Sequence, residues 1–157
     1  MYLPRGRQQR RRGTTIVEMA FVGLIVFTMM FAIFEFGRVM MALQVMNSAG
    51  RTAARQAVVT ATSYIDPATA TTTIQQVATN GLQGQLLTNV NIQIYQADSS
   101  GNNIGAWTSA PFGQDIVVQI DADLPLIFPT FGFLPSTGAA TNSLHLTTRC
   151  MMRGEAN

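Results

Sequence analysis

The sequence predicts an α+β protein in which a long N-terminal transmembrane helical spine packs on a small four-stranded antiparallel sheet. Residues 16–36 are almost entirely apolar. As a helix they would span about 31 Å, close to a hydrocarbon core of about 30 Å. No proline stands between residues 16 and 63, so the helix is expected to continue beyond the membrane. After residue 85 the apolar pattern changes to a period of two, which is typical of strands.

The charged residues are few and unevenly distributed. They make up 11% of the 157 residues, and 47% are hydrophobic, which is unusual for a soluble domain. The first twelve residues carry five arginines and no acid, whereas the chain from residue 14 onward carries five arginines against eight acids. Basic residues directly before an apolar span hold that end on the cytoplasmic side. We therefore expect a single-pass protein of the cell inner (cytoplasmic) membrane, with an extracytoplasmic C-terminal domain and no nucleic-acid partner.

The composition excludes several classes of enzyme and metal site. All ten basic residues are arginine, which excludes lysine-dependent phosphate loops and Schiff-base chemistry. A single cysteine, Cys150, and a single histidine, His145, exclude an internal disulfide and an ordinary Cys/His zinc site. No enzymatic activity, cofactor or metal is therefore expected. A membrane-tethered enzyme would need a folded pocket that gathers His145 with Asp121 or Asp123.

Two carboxylates interrupt the apolar span. Glu35 has Arg38 three positions further on, and with Gly37 the pair is interpreted as a flank at the membrane surface. Glu18 has no basic residue three or four positions ahead, although an unpaired carboxylate in hydrocarbon is costly. Glu18 is therefore the anomaly that a functional interpretation must explain. An ordinary signal anchor, in which Glu18 acts only through the helix dipole, is one alternative.

The residues from Arg10 to Glu18, RRRGTTIVE, resemble a type IV prepilin leader, in which a basic leader ends in glycine and a glutamate stands fifth in the mature chain. The stretches FEFGR at 34–38 and NSAGRTAAR at 47–55 are similar to those of the TadE-like pseudopilins of the tight-adherence (Flp type IVb) pilus machinery. The resemblance implies a pilin-like fold and cleavage after Gly13 by a prepilin peptidase. It also implies that the new amine of Thr14 meets Glu18 of a neighbouring subunit.

The resemblance further implies a structural function. The chain would be a pseudopilin or minor pilin-like component of a tight-adherence pilus assembly and secretion system. Its partners would be the prepilin peptidase, other pilins or pseudopilins, and pilus assembly proteins. The alternative is an unprocessed single-span adaptor of an envelope or secretion complex. The predicted organisation is a leader at residues 1–13, a transmembrane helix at 14–37, an extension of that helix at 38–64, and a small α+β domain at 65–157.

Small residues recur every four positions in the outer half of the long helix, at Ala49, Ala53, Ala57 and Ala61. Such a ladder lets a second backbone approach closely. Two alternatives are open, namely packing under the protein's own sheet and a helix–helix seam with another subunit.

Beyond the long helix, a second helix and four strands are predicted. Asp66 and Pro67 supply an N-cap and a first-turn proline for a helix that runs to about residue 82. The strands are expected at residues 90–95, 104–109, 115–124 and 143–153, with a hairpin turn at 98–103. Each strand is mostly apolar on one side, which indicates an antiparallel sheet covered on one face by the outer half of the long helix.

The strand pattern also assigns individual side chains to the two faces. Asp121 and Asp123 fall together on a face expected to be exposed to solvent, and His145 falls on the polar face of its strand. Cys150 falls on the apolar face and is expected to be buried. The segment 124–138 is apolar but rich in proline, which fits neither a strand nor a helix. It is expected to pack back on the protein, contact the outer leaflet or bind a partner.

Overall fold

The computed structural model describes residues 11–61, 66–110, 113–127 and 143–153. In these ranges, helix α1 spans Arg11–Ala61, helix α2 spans Pro67–Gly81, and the strands are β1 Thr88–Ala97, β2 Asn103–Ala106, β3 Asp115–Pro125 and β4 Ser143–Arg153. This arrangement confirms the predicted α+β class with a long N-terminal helix and an antiparallel sheet. By its internal contacts the chain divides into two compact units, of which the first ends at Gly37 and the second begins at Arg38.

The described part of the first unit is helical and carries its apolar side chains on the outside. Ile16, Phe21, Leu24 and Ile33 are each more than 60% exposed. Thr28 is satisfied within the helix, because its hydroxyl donates to the carbonyl oxygen of Leu24 at 2.8 Å. Within the described residues, one helix is long and apolar enough to cross a membrane by length and composition, and it lies near the N-terminus. These features indicate a single-pass membrane protein.

The second unit is built around a sheet of β1 to β4. Among the described residues the strand order is β2-β1-β3-β4, and all neighbouring strands are antiparallel. Strand β3 is central and pairs along its full length with β4, from Asp115 opposite Arg153 to Pro125 opposite Ser143. Residues directly opposite each other point to the same face of a sheet. This register therefore fixes which side chains of β3 and β4 meet.

The core of the second unit lies between one face of the sheet and the two helices. The long helix contributes buried residues that include Ala42, Met46, Ala49 and Ala53; α2 contributes Ala70, Ile74 and Ala78; and β3 contributes Ile116, Val118, Ile120, Ala122 and Leu124. The spacing is four along α2 and two along β3, as expected for one buried face of each element. The predicted cover of the sheet by the outer half of the long helix is therefore confirmed.

The second helix begins where its sequence predicts. Asp66 caps the helix, since its side chain accepts a hydrogen bond from the backbone N–H of Thr69 at 3.2 Å, and Pro67 occupies the first turn. Threonine is a mediocre helix former, but the hydroxyls of Thr71 and Thr72 donate to backbone carbonyls four residues earlier, at 2.8 and 2.9 Å. These bonds keep the exposed threonines compatible with the helix.

The hairpin turn between β1 and β2 forms as predicted. Asp98 accepts hydrogen bonds from the backbone N–H groups of Ser100 and Asn102, at 2.9 and 2.8 Å. Gly101 adopts a φ of 83°, a conformation that side-chain-bearing residues rarely adopt. The turn is thus stabilised by its own backbone and side chains.

The strand predicted at residues 104–109 is wrong in its second half. Strand β2 ends at Ala106, and Trp107–Ser109 form a single 3-10 turn. The indole of Trp107 is buried and donates from Nε1 to the hydroxyl of Thr71 on α2 at 3.2 Å. Burying this large side chain against α2 outweighs the local preference for an extended backbone. Residues 128–138 of the apolar segment 124–138 lie outside the described residues, and the expectation for how this segment packs stays a prediction.

Candidate functional site

The predicted processing segment lies in the first turns of α1. The described part of α1 starts at Arg11, and Gly13 and Thr14 are helical. A Cβ built at Gly13 would meet nothing within 4 Å, and its φ is not positive. The described part of the chain therefore gives no packing reason for a glycine at this position. Since glycine weakens a helix by about 1 kcal/mol relative to alanine, Gly13 also makes the first turn easier to unwind.

Glu18 lies on the same exposed helix, one turn beyond Thr14. Its neighbours Val17 and Met19 are both 69% exposed, so the carboxylate stands among side chains suited to lipid. No hydrogen bond or ion pair to Glu18 forms within the described residues. An unpaired carboxylate within a membrane span is unfavourable, and less so near the end of the span, where Glu18 stands, than at its centre. Glu18 is therefore a carboxylate on an apolar helix with no partner among the described residues, as the sequence predicts.

The residues of the predicted membrane flank have different environments. Glu35 is buried, and Gly37 has open space where a Cβ would stand. The guanidinium of Arg38 donates from Nη2 to the carbonyl oxygen of Pro125 at 3.4 Å, at the end of β3. The ion pair between Glu35 and Arg38 stays a prediction.

The alanine ladder lies inside the second unit. Ala49, Ala53 and Ala57 are at most 4% exposed. A Cβ at Gly81 of α2 would come within 2.8 Å of the Cβ of Ala49, and a Cβ at Gly50 within 2.8 Å of the Cys150 sulfur. The small residues therefore let α1 lie close to α2 on one side and to the sheet on the other. Of the two alternatives for this ladder, the structure shows packing within the protein's own domain.

Comparison with known protein families matches residues 13–55 to the family model described as TadE-like protein. The matched segment is TadE-like. It contains Gly13, Glu18 and both later stretches on which the resemblance rests, at 34–38 and 47–55. The suspected family is therefore supported over 43 of the 157 residues. No curated protein and no solved structure matches the chain.

The TadE-like segment also forms one wall of an open groove in the second unit. The groove has a volume of about 920 Å³ and is lined by a stripe of α1 and by strand β4, through Met40, Leu43, Gln44, Asn47, Ser48, Arg51, Thr52, Arg55 and Met152. Arg51 and Arg55 are exposed, and neither forms an ion pair with any described residue. The lining contains two cations and no acid. The sequence shows these two arginines, but not that β4 lies beside them.

The sheet face opposite the helices carries a ladder of polar pairs between β3 and β4. Each pair joins residues that lie directly opposite each other: Asp115 with Arg153 at 3.0 Å, Gln119 with Arg149 at 2.9 Å, Asp121 with Thr147 at 2.7 Å, and Asp123 with His145 at 2.8 Å. Such cross-strand pairs are the usual unit of sheet stabilisation. The register alone therefore brings these groups together.

Asp123 corrects the expectation that both aspartates of this face are exposed. It is 6% exposed and accepts a hydrogen bond from the side-chain amide of Asn89 at 2.8 Å, in addition to its contact with His145. Its partners lie on β1 and β4, which pattern analysis of one strand does not reveal. Asp121 is half-buried and accepts from Thr147 and Gln119.

Hydrogen bonding and burial shift the pKa values of several side chains of the second unit. The amide of Asn89, followed by His145, holds the pKa of Asp123 below its ordinary value. Burial raises the pKa of the Cys150 thiol, against a smaller opposing effect of the Arg51 cation. The hydrogen bond to Asp115 raises the pKa of Arg153. Backbone and side-chain bonds from Asn102 lower the pKa of Asp98 in the β1–β2 turn.

In the portion of the chain that the structure covers, no three His, Cys, Asp or Glu side chains gather in a way that could hold a metal ion. Within the same residues, Asp123 is the one hydrogen-bond partner of His145. Among the described residues, no hydroxyl or thiol hydrogen-bonds to His145, and the Thr147 hydroxyl on the same face of β4 donates to Asp121 instead.

Proposed function

We propose that the chain is a pseudopilin, a minor pilin-like structural component of a tight-adherence pilus assembly and secretion system. Residues 14–37 would anchor it in the inner membrane with the N-terminus in the cytoplasm. A prepilin peptidase would remove residues 1–13, and the mature chain would associate with other pilins or pseudopilins. The proposal assigns the chain no catalytic role, and the Asp123–His145 contact is explained as a cross-strand pair.

Glu18 is the observation that carries the proposal. It stands on an exposed apolar helix in the TadE-like segment, five residues after Gly13, and no described residue pairs with it. Cleavage after Gly13 would create an α-amine at Thr14, and that amine is the cation that the uncut chain lacks. Two opposite charges that meet in a low dielectric offset each other's desolvation, whereas either one alone is strongly unfavourable.

Gly13 supports the position of the cut. No described residue lies within 4 Å of a Cβ built at Gly13, and its φ is not positive, so the described part of the chain does not require a glycine here. A peptidase that binds an extended backbone would have to unwind the first turn of α1. Glycine lowers that cost and leaves no side chain to clash in a narrow cleft.

Mass spectrometry of the chain from membranes that contain the peptidase tests the proposal. We expect loss of residues 1–13 from the native chain and from Gly23→Ala, and an uncut chain for Gly13→Ala. Gly23 is the matched control, since it lies on the same helix and also has nothing within 4 Å of its Cβ position. An intact Met1 terminus in the native chain would favour the unprocessed adaptor instead.

A second variant tests the role of the carboxylate separately from cleavage. Glu18→Gln keeps the shape of the side chain and removes its charge. We expect weaker crosslinking of the mature chain to neighbouring pilin-like subunits in the membrane. Unchanged crosslinking and stability of the cleaved Glu18→Gln chain would contradict the proposed ion pair.

A further inference from the structure

The groove beside the TadE-like helix borders an edge strand. Strand β4 has β3 as its one neighbour among the described strands, and it is 11 residues long. It lies alongside the groove wall, because Thr148 donates to the side chain of Asn47 and the Cys150 thiol contacts the Asn47 carbonyl oxygen at 3.6 Å. An edge strand presents backbone N–H and C=O groups that can pair with an added strand.

The groove has the dimensions of a short extended peptide. From Met40 to Arg55 the helix rises about 22 Å at about 1.5 Å per residue. An extended chain covers that length with about seven residues. Arg51 and Arg55 stand about 6 Å apart along the helix, close to the spacing of about 6.6 Å between alternate residues of a strand. Two acids on one face of such a strand would therefore reach both arginines.

The charges favour an acidic partner over a second copy of this chain. The groove holds two unpaired arginines and no acid, judged on the described residues. Strand β4 itself carries no acid. Pairing of β4 with the β4 of another copy would therefore place no carboxylate of that strand beside Arg51 or Arg55. An acidic segment matches the charge of the groove better, and such complementarity selects the partner.

We propose that the groove between α1 and strand β4 binds an extended acidic segment of a partner protein, which adds to the sheet alongside β4. Main-chain hydrogen bonds to β4 would supply affinity, and side chains on alternate positions would supply specificity, as in other cases of strand addition. Carboxylates would meet Arg51 and Arg55, and an apolar side chain would contact Met40 and Leu43. The proposal does not depend on cleavage at Gly13, since every groove residue lies in the second unit.

Fluorescence anisotropy with designed peptides tests this site on the purified full-length chain in nonionic detergent. The probe is Leu-Thr-Thr-Thr-Glu-Thr-Glu, which places leucine four residues before the first glutamate, because Leu43 and Arg51 stand about 12 Å apart along the helix. The reversed sequence is included, because either strand direction is possible. One control peptide carries lysine in place of both glutamates. A second control carries N-methyl groups on the alternate amides that would face β4. We expect binding of the acidic probe in one direction and no binding of either control.

Matched variants of the protein locate the binding site. The double change Arg51→Gln and Arg55→Gln should weaken the acidic probe roughly tenfold, as expected for two exposed ion pairs. Arg149→Gln removes the same charge from the opposite face of the sheet and should leave binding unchanged. Near-ultraviolet circular dichroism of Trp107 checks that each variant is folded.

Several outcomes would overturn the proposal. They are absence of binding by both acidic probes, equal binding of the lysine peptide, and equal binding of the N-methylated peptide. An equal loss of probe binding in Arg149→Gln and in the Arg51→Gln and Arg55→Gln double variant would also overturn it. Competition by self-association, seen as weaker probe binding at higher protein concentration, would assign the edge to a second copy of the chain instead.

Discussion

At the scale of single residues, hydrogen bonds between strands set the ionisation of the polar sheet face. Asp123 combines low exposure with two hydrogen-bond partners from different strands. Because these partners favour the charged carboxylate, the folded state holds its proton less tightly than the unfolded state does. The contribution of Asp123 to stability is therefore present above its ordinary acidic pKa. It is lost as the pH falls through the lowered folded pKa.

Asn89→Gly tests the source of this shift. Asn89 adopts a φ of 52°, so glycine keeps the backbone conformation and removes only the amide that donates to Asp123. We expect the pKa of Asp123 to move up toward its ordinary value, and the midpoint of acid unfolding to move to higher pH. Carboxyl NMR titration measures the pKa of Asp123 and the midpoint of acid unfolding. The lowered pKa of Asp98 is an internal control, because hydrogen bonds within the β1–β2 turn cause it. An unchanged Asp123 pKa would show that His145 dominates.

The two faces of β3 and β4 were predictable from the alternation of their side chains, but the pairing across strands was not. Cys150 lies buried on the apolar face, as its position in the pattern predicts. Asp123 was expected to be exposed because alternation reports on one strand at a time. Its partners stand 34 and 22 residues away in sequence, so the register of three strands determines its burial.

At the scale of elements, each helix and strand begins and ends for reasons that are largely local. The second helix starts at a cap and a proline that are visible in the sequence, and β4 alternates between buried and exposed residues over most of its length, whereas β3 is buried or half-buried throughout. The end of β2 was not predictable in this way. Trp107 leaves the strand direction because its indole finds a tertiary partner on α2, and tertiary burial overrides local preference.

The contact between the two helices gives a prediction at this scale. Gly81→Ala should destabilise the second unit by about 1–3 kcal/mol, because the new Cβ would stand 2.8 Å from the Ala49 Cβ and 3.2 Å from its Cα. Adding Ala49→Gly should recover part of that loss, although glycine inside a helix itself costs about 1 kcal/mol. Chemical denaturation of the single and double variants measures the coupling.

Gly37→Ala is the control for this pair, since it places the same methyl group in open space on a helix. The free energy of unfolding of the Gly37→Ala variant should equal that of the native chain or be slightly higher. Additive effects of Gly81→Ala and Ala49→Gly would contradict the proposed contact.

At the scale of the whole molecule, the apolar surface is used in two different ways. The described part of the first unit exposes its large apolar side chains. The described part of the second unit has a main buried core, whose first residue along the chain is Ala42, and a smaller buried cluster of Tyr95, Ala97 and Val117. The composition alone indicates a membrane protein, and the change of period along the chain indicates a separate sheet. The groove was not predictable from the sequence, because it depends on which strand occupies the edge of the sheet beside α1.

A chain that begins at Arg38 should therefore fold without the first unit. We expect residues 38–157 to show a cooperative thermal transition in the near-ultraviolet signal of Trp107, the one tryptophan of the chain. The control is the same fragment with Ile120→Ala, which removes a fully buried side chain and should cost about 2–5 kcal/mol. A fragment without a cooperative transition, or with one that Ile120→Ala does not move, would contradict an independent core.

The buried sulfur of Cys150 has a practical consequence for the study of this protein. The thiol lies 8% exposed against α1, and its raised pKa keeps it protonated at neutral pH. Alkylating reagents attack the thiolate, so they should spare this side chain in the native state. A new cysteine at an exposed groove position such as Gln44 or Ser48 would then react alone. Spin labels or crosslinkers can be placed there without first replacing the native sulfur, which leaves the packing against Gly50 untouched.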